Sequence, residues 1–208
     1  MRSARTWCTG PIPPSRPRAK WGCSSLSSAE LVLASRSPQR RAILQQLGVP
    51  FRVVEPEVEE LEEGPAEQVA VENARRKAGA VQGELVLGVD TVVALDGRLY
   101  GKPATALEAR ETLRALSGRT HKVVSGLCLV RSGRADTATA TTLVEFRTLD
   151  GQLIDWYEAG GEWRERAGGY AIQGRGAALV ARIEGDFFNV VGLPVATLVQ
   201  LAPELLWR

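Results

Sequence analysis

The 208-residue chain has one histidine, three cysteines and no long apolar run, and each scarcity narrows its chemistry. With His121 alone, a histidine-rich metal site is excluded, as is a Ser-His-Asp triad with a second histidine to spare. Carboxylates must carry any metal chemistry. Cys8, Cys23 and Cys128 form an odd set without metal-ligand spacing, which fits a reducing compartment. No apolar stretch approaches the ~18 residues expected of a membrane span, and no apolar h-region marks a secretory signal. The chain reads as soluble and cytoplasmic. Residues 1–29 lack acids but hold Arg2, Arg5, Arg16, Arg18 and Lys20; against a total of +2, these five cations leave the remainder net −3. A slightly acidic body lacks the extended basic footprint of broad duplex binding, so nucleic acid is not the expected partner.

Residues 1–29 are rich in Arg, Ser, Pro and Gly, show no periodicity, and read as a disordered basic tail, a transit segment or the product of a mis-assigned start. Residues 30–208 then form one domain, with no internal repeat. Strand 31–35 leads to a helix opening at Ser37-Pro38, where serine suits the N-cap and proline the first helical position. Gly48 ends that helix, 51–55 reads as a short strand, and a second helix runs from about Pro65 to Val81. Asp96-Gly97 is a hairpin dipeptide, pairing strand 85–95 with 98–102. Thr105 to Glu108 is a capping box for a helix closed at Gly118. Strands 121–130 and 137–148, a helix 150–160, a strand pair over 169–184 and a last helix near 194–206 complete the pattern. Helices mixed with hairpins predict an α/β fold with a mixed sheet and flanking helices.

Asp90 is the residue that most needs an explanation. It sits in the apolar run Leu85 to Val93, where an ionised carboxylate is costly to bury unless a metal ion or a cation meets it. Ideal hairpin counting places Lys102 opposite Thr91, one position from Asp90, although on the other face of the strand. Arg40 and Arg41 lie in the first turn of a helix, against its dipole; a phosphate held by the free N–H groups there, with Ser35 or Ser37, would compensate, and plain solvation is the alternative. Lys77 shares a helix face with Ala70, Ala74 and Val81, so it either snorkels to water or points into a polar cleft. Glu60 belongs to an acidic run that composition does not single out. Gln173, placed in an apolar strand, is either a satisfied structural amide or one that recognises a base edge. His121 fits a strand entrance better than a base. GRLYGKP has neither the spacing nor the Ser/Thr of a P-loop, and GRG at 174–176 is too little for a dinucleotide fingerprint.

The ordered set LASRSPQRR, VDTVV, DG, GKP, LSGRTH, AGGYAIQG and FNVVGLP, from about Leu31 to the C-terminus, resembles the Maf family of nucleoside triphosphate pyrophosphatases. The resemblance implies two lobes around a cleft, similar to inosine-triphosphatase-like pyrophosphatases, and hydrolysis of the α–β phosphoanhydride to a nucleoside monophosphate and pyrophosphate. It implies a divalent cation, Mg2+ or Mn2+, and a homodimer. By the same resemblance Asp90 accepts the proton of the attacking water and, with Glu60, holds the metal. Lys77 and Lys102 act on the phosphates together with Ser35 and Arg40, while Gln39, Thr91 and Gln173 concern base selection. IQG favours the dTTP/UTP branch. Two departures stand out: SPQR replaces the commoner SPRR, and Glu165-Arg166 stands where Asp-Lys is commoner. A nucleotide- or nucleic-acid-binding regulator without turnover, linked to septum formation, is the alternative reading.

Overall fold

The computed structural model describes residues 29–207. The expected tail lies outside them except for Ala29, which is already buried in the first core cluster. Seven strands form one sheet in the order β2-β1-β3-β5-β6-β7, with β4 as a further neighbour of β3. The first three elements, β1 (Leu31–Ala34), α1 (Pro38–Gln46) and β2 (Phe51–Val54), begin a parallel unit that α2 (Ala66–Gly79) connects to β3 (Leu85–Leu95). Ser37 caps α1 by accepting from the Arg40 N–H, as its position before proline predicts. Beyond β3 the pairing is antiparallel, through β4 (Arg98–Tyr100), β5 (Thr120–Arg131), β6 (Arg134–Phe146) and β7 (Val180–Glu184). The sheet is mixed, as its hairpins imply.

Asp96 and Gly97 both adopt positive φ and bring Leu95 opposite Arg98, the register read from the dipeptide. The returning strand is shorter than expected. It ends at Tyr100, because the Gly101 carbonyl accepts from the Gly168 N–H at 3.0 Å and Pro103 has no N–H to continue a ladder. A long β3 is therefore flanked on one side by β1 over Leu85–Gly88 and by β4 over Val93–Leu95. Between them lies a notch. Among the described residues Val89 to Val92 have no strand partner on that side, while β5 pairs with all four on the other.

The odd-numbered face of β3 feeds two separate clusters. Leu85, Leu87 and Val89 pack with Ile43 and Leu44 of α1 and with Leu198 of α6 (Val195–Leu201). Val93 and Leu95 pack with Leu113 and Leu116 of α3 (Ala106–Leu116) and with Ile154 and Tyr157 of α4 (Gly151–Ala159). Thr91 falls between the clusters, so the two lobes meet at the notch. Each fully buried leucine contributes roughly 2 kcal/mol, which gives both lobes substantial cores. The opposite face is covered by α2, whose Ala74 and Ala78 pack with Val86. That helix lies unusually close, because Gly88 and Gly126 leave no side chain beneath it: a Cβ at Gly88 would stand 2.1 Å from the Ala74 carbonyl oxygen, and one at Gly126 2.3 Å from that of Ala70.

Two expectations need correction. Residues 169–184 are not a strand pair. Only β7 is extended, and Ala167–Gly169 and Arg175–Ala178 are single tight turns, with Gly168 and Gly169 both at positive φ against Val93 and Pro103. The apolar content of AGGYAIQG reflects a buried loop. The last helix is also broken: α6 stops at Leu201, and Pro203, whose ring disfavours a helical Ala202, starts a separate turn. A short helix, α5 (Phe187–Val191), precedes α6 and was not expected. Asn189 anchors it by donating to the Val123 carbonyl at 3.0 Å and to Thr142 Oγ1 at 3.0 Å.

Candidate active site

A cavity of about 460 Å³ opens at the notch and gathers all nine residues expected at the site from the sequence: Ser35, Gln39, Arg40, Glu60, Lys77, Asp90, Thr91, Lys102 and Gln173. Eight of them lie between residues 35 and 102, and Gln173 comes from the distant loop before β7. The end of β1 brings Ser35, the first turn of α1 brings Gln39 and Arg40, and the middle of β3 brings Asp90 and Thr91.

The side chain of Asp90 points toward α2. Its Oδ1 accepts from Lys77 Nζ at 2.6 Å and its Oδ2 from Asn73 Nδ2 at 3.1 Å. The same ammonium lies 2.9 Å from Glu60 Oε1, so Lys77 joins two carboxylates. Lys77 and Asp90 are both buried, whereas 40% of the Glu60 side chain remains exposed on the cavity side. The cation that meets Asp90 is thus Lys77 and not the hairpin lysine. Lys102 follows the shortened β4 and does not stand opposite Thr91; it is exposed on the cavity rim, 3.7 Å from Glu165 Oε2.

On the other face Arg40 is held at three points. Its Nε donates to the Gly192 carbonyl at 2.8 Å, and its two terminal nitrogens donate to Ser35 Oγ and Thr91 Oγ1, each at 3.1 Å. Thr91 Oγ1 also shares a 2.8 Å hydrogen bond with Ser125 Oγ across the strand pair. Burial pulls the Arg40 pKa down, and the nearby charges of Asp90 and Glu60 pull it back. A buried guanidinium with one face on a cavity favours an incoming anion. The plain-solvation reading of this arginine is excluded by its burial; Arg41, by contrast, reaches out to Glu55 at 3.4 Å.

The loop carrying Glu165, Arg166 and Gln173 is fixed from below. Tyr170 OH and His121 Nε2 are 2.8 Å apart, and Tyr157 OH accepts from the Ala171 N–H at 3.0 Å. His121, Phe146 and Tyr170 stack edge to face. Gln173 is exposed at the cavity mouth, available to a ligand instead of satisfied within a strand. Burial lowers the Arg166 pKa, and Glu165 holds a left-handed backbone with φ of 58°.

His121 gives a pH prediction. Burial lowers its pKa to about 4, so the native state keeps it neutral while the unfolded chain takes a proton near 6.5. Stability is complete above about pH 6.5 and declines as pH falls toward about 4, by up to about 3 kcal/mol. Urea midpoints measured from pH 7 to pH 4 should fall more steeply for the wild type than for His121→Gln. Parallel profiles would remove His121 as the cause.

The family model described as "Maf-like protein" matches residues 30–205. This chain belongs to the Maf family. Similar relatives include the dTTP/UTP pyrophosphatase of Symbiobacterium thermophilum, 46% identical over 178 residues that cover 83% of this chain and 92% of the relative. That of Thermus thermophilus is 49% identical over 174 residues, covering 82% of this chain and 92% of its own. The corresponding protein of Thermococcus gammatolerans is 45% identical over 181 residues, 86% and 94% of the two chains. The Maf match spans nearly all described residues, so both lobes and the notch lie inside it.

Among the described residues of this Maf chain, no group of three or more His, Cys, Asp or Glu side chains could enclose a metal. Asp90 and Glu60 nevertheless suit one. Two oxygen donors beside a cavity open to solvent are a set that Mg2+ or Mn2+ accepts when further oxygen ligands complete its shell. Sequence reasoning missed Asn73, Ser125 and Gly192. Asn73 had a legible signal, since a mid-helix asparagine on the buried stripe one turn before Lys77 calls for partners.

Proposed function

We propose that this Maf-family chain is a nucleoside triphosphate pyrophosphatase that hydrolyses dTTP, UTP and modified nucleotides, removing them from the pool. The observation that carries the reading is the Asp90–Lys77–Glu60 bridge facing a cavity whose opposite wall presents Arg40 and the N-terminus of α1. The names of the relatives supply the pyrimidine preference, and Gln173 at the mouth is placed to read a base edge.

The triphosphate binds against the start of α1, where the Arg40 guanidinium neutralises oxygens on one side while Lys102 meets those on the rim. Asp90 takes the proton of a water whose oxygen attacks the α-phosphorus. The bond to the bridging oxygen breaks, and pyrophosphate leaves with that electron pair. Lys77 and Arg40 stabilise charge that grows on the phosphate oxygens. A divalent cation held by Asp90 and Glu60 would lower the pKa of the attacking water and add positive charge beside the phosphates. Glu165-Arg166 serve at the rim where other members have Asp-Lys, and Gln39 contributes an amide in place of a guanidinium. The protein acts in the cytoplasm as a homodimer; no helix among the described residues is long and apolar enough to cross a membrane.

Pyrophosphate release across canonical, methylated and modified triphosphates, with Mg2+ or Mn2+, tests the reading. The expected result is a kcat/KM for dTTP and UTP at least tenfold above those for ATP and GTP. Binding without turnover across the whole panel would instead favour the regulator.

A further inference from the structure

Asn73 connects the two carboxylates through a route separate from Lys77. It sits on α2 one turn before that lysine and is fully buried. Its Oδ1 accepts from the Leu61 N–H at 2.7 Å, and its Nδ2 donates both to the Leu61 carbonyl at 3.0 Å and to Asp90 Oδ2 at 3.1 Å. Leu61 directly follows Glu60. One carboxamide therefore ties the segment that carries Glu60 to the strand that carries Asp90. The Leu61 peptide also fixes its orientation, since exchanging the amide oxygen and nitrogen would set donor against donor and acceptor against acceptor.

The arrangement does more than hold a loop. Residues 56–65 have no helix or strand; besides Asn73, α2 holds this segment through Lys77 to the part-exposed Glu60 at 2.9 Å, through the exposed bond from Arg76 to the Glu59 carbonyl at 3.0 Å, and at its end through the Val69 N–H to the Pro65 carbonyl at 3.0 Å. Asparagine is a poor choice for a helix interior, and an apolar residue there would extend the packing of Ala70 and Ala74. Its donor is instead spent on the back oxygen of Asp90, which leaves Oδ1 to face Lys77 and the cavity. We propose that Asn73 is a positioning residue for the reaction: its amide sets the orientation of Asp90 and its separation from Glu60, so that both carboxylates can hold one divalent cation. The proposal rests on the pyrophosphatase reading and adds to it a residue that touches neither substrate nor metal.

The test uses the full chain and Mn2+ followed by electron paramagnetic resonance, with a non-hydrolysable dTTP analogue present, alongside steady-state kinetics. Asn73→Ala removes all three bonds. Asn73→Asp keeps the acceptor for Leu61 while losing both donors and bringing a second negative charge to Asp90. Both variants should weaken Mn2+ binding at least tenfold, the usual scale for groups that orient a metal ligand, and lower kcat at saturating Mn2+. KM for dTTP should stay within about twofold; the weakened Mn2+ affinity is the decisive readout, because a smaller folded fraction lowers apparent kcat but leaves both KM and the Mn2+ dissociation constant unchanged. If a folded Asn73→Ala or Asn73→Asp binds Mn2+ and turns over like the wild type, the role is overturned; if Asn73→Ala fails to fold, Asn73→Asp decides alone. A wild type that neither hydrolyses dTTP nor binds Mn2+ with the analogue defeats the pyrophosphatase reading and this inference together, whereas an active wild type with unaffected variants defeats only the role of Asn73.

Discussion

Asp90→Asn should abolish pyrophosphate release, by at least about 10³-fold in kcat, while nucleotide binding remains measurable. The substitution keeps the shape of the side chain and removes its ability to take a proton. It also creates a conflict. Lys77 and Asn73 both donate to Asp90, so an amide can satisfy only one of them and must turn its NH2 toward the other. Asn73 cannot turn in response, because Leu61 fixes its amide. The cations of the α1 wall are untouched, which is why affinity for the triphosphate should survive. Pyrophosphate release measures the first effect and calorimetric titration with a non-hydrolysable analogue the second. Near-normal turnover in the variant would end the assignment of Asp90 as proton acceptor.

Alanine at Gly88 or Gly126 should cost about 3 kcal/mol or more and take activity with it. The obstacles are backbone atoms. At Gly88 the added carbon would meet the Ala74 carbonyl oxygen at 2.1 Å and the Ala78 nitrogen at 2.7 Å; at Gly126 it would meet the Ala70 carbonyl carbon and oxygen at 2.3 Å. No rotamer change relieves such contacts, so α2 must lift from the sheet. Lifting it moves Lys77 and Asn73 away from Asp90. Gly79→Ala is the internal control, because nothing lies within 4 Å of its Cβ and φ is not positive there. That change should be neutral or slightly stabilising. Denaturant midpoints for the three variants check the order. If Gly88→Ala and Gly126→Ala unfold like the control, close packing of α2 does not set the site.

Much of the architecture was legible because it is local. Ser37-Pro38, Asp96-Gly97 and Thr105 each determine their own turn or cap, and the structure has all three where the dipeptides and caps place them. The stripe Ala70, Ala74, Lys77 reports a buried helix face whatever lies opposite. What lies opposite is another matter. Pairing of Asp90 with Lys77 instead of Lys102 depends on where α2 lands, which the two glycines decide from positions 88 and 126. Glu60 could not be told from its acidic neighbours, since only the long-range bonds at Leu61 and the Lys77 contact distinguish it. The segment around Gln173 misled for a different reason: apolar residues buried in a loop carry no period, and it is held by remote groups, His121 bonded to its own Tyr170 and Tyr157 bonded to its Ala171 N–H.

The notch in β3 has a consequence for how activity appears during folding. Its two margins are a parallel pairing with β1, which must first bridge more than fifty residues of intervening chain, and a hairpin that can close within a few. Until the slow margin forms, Asp90 has a lysine and an asparagine only if α2 is already docked, and Ser35 and Arg40 are elsewhere. No fragment holding the hairpin alone presents the carboxylate beside Ser35 and Arg40. Hydrolytic competence therefore needs both margins at once, so a copy in which only the hairpin has formed poses no threat to the nucleotides around it.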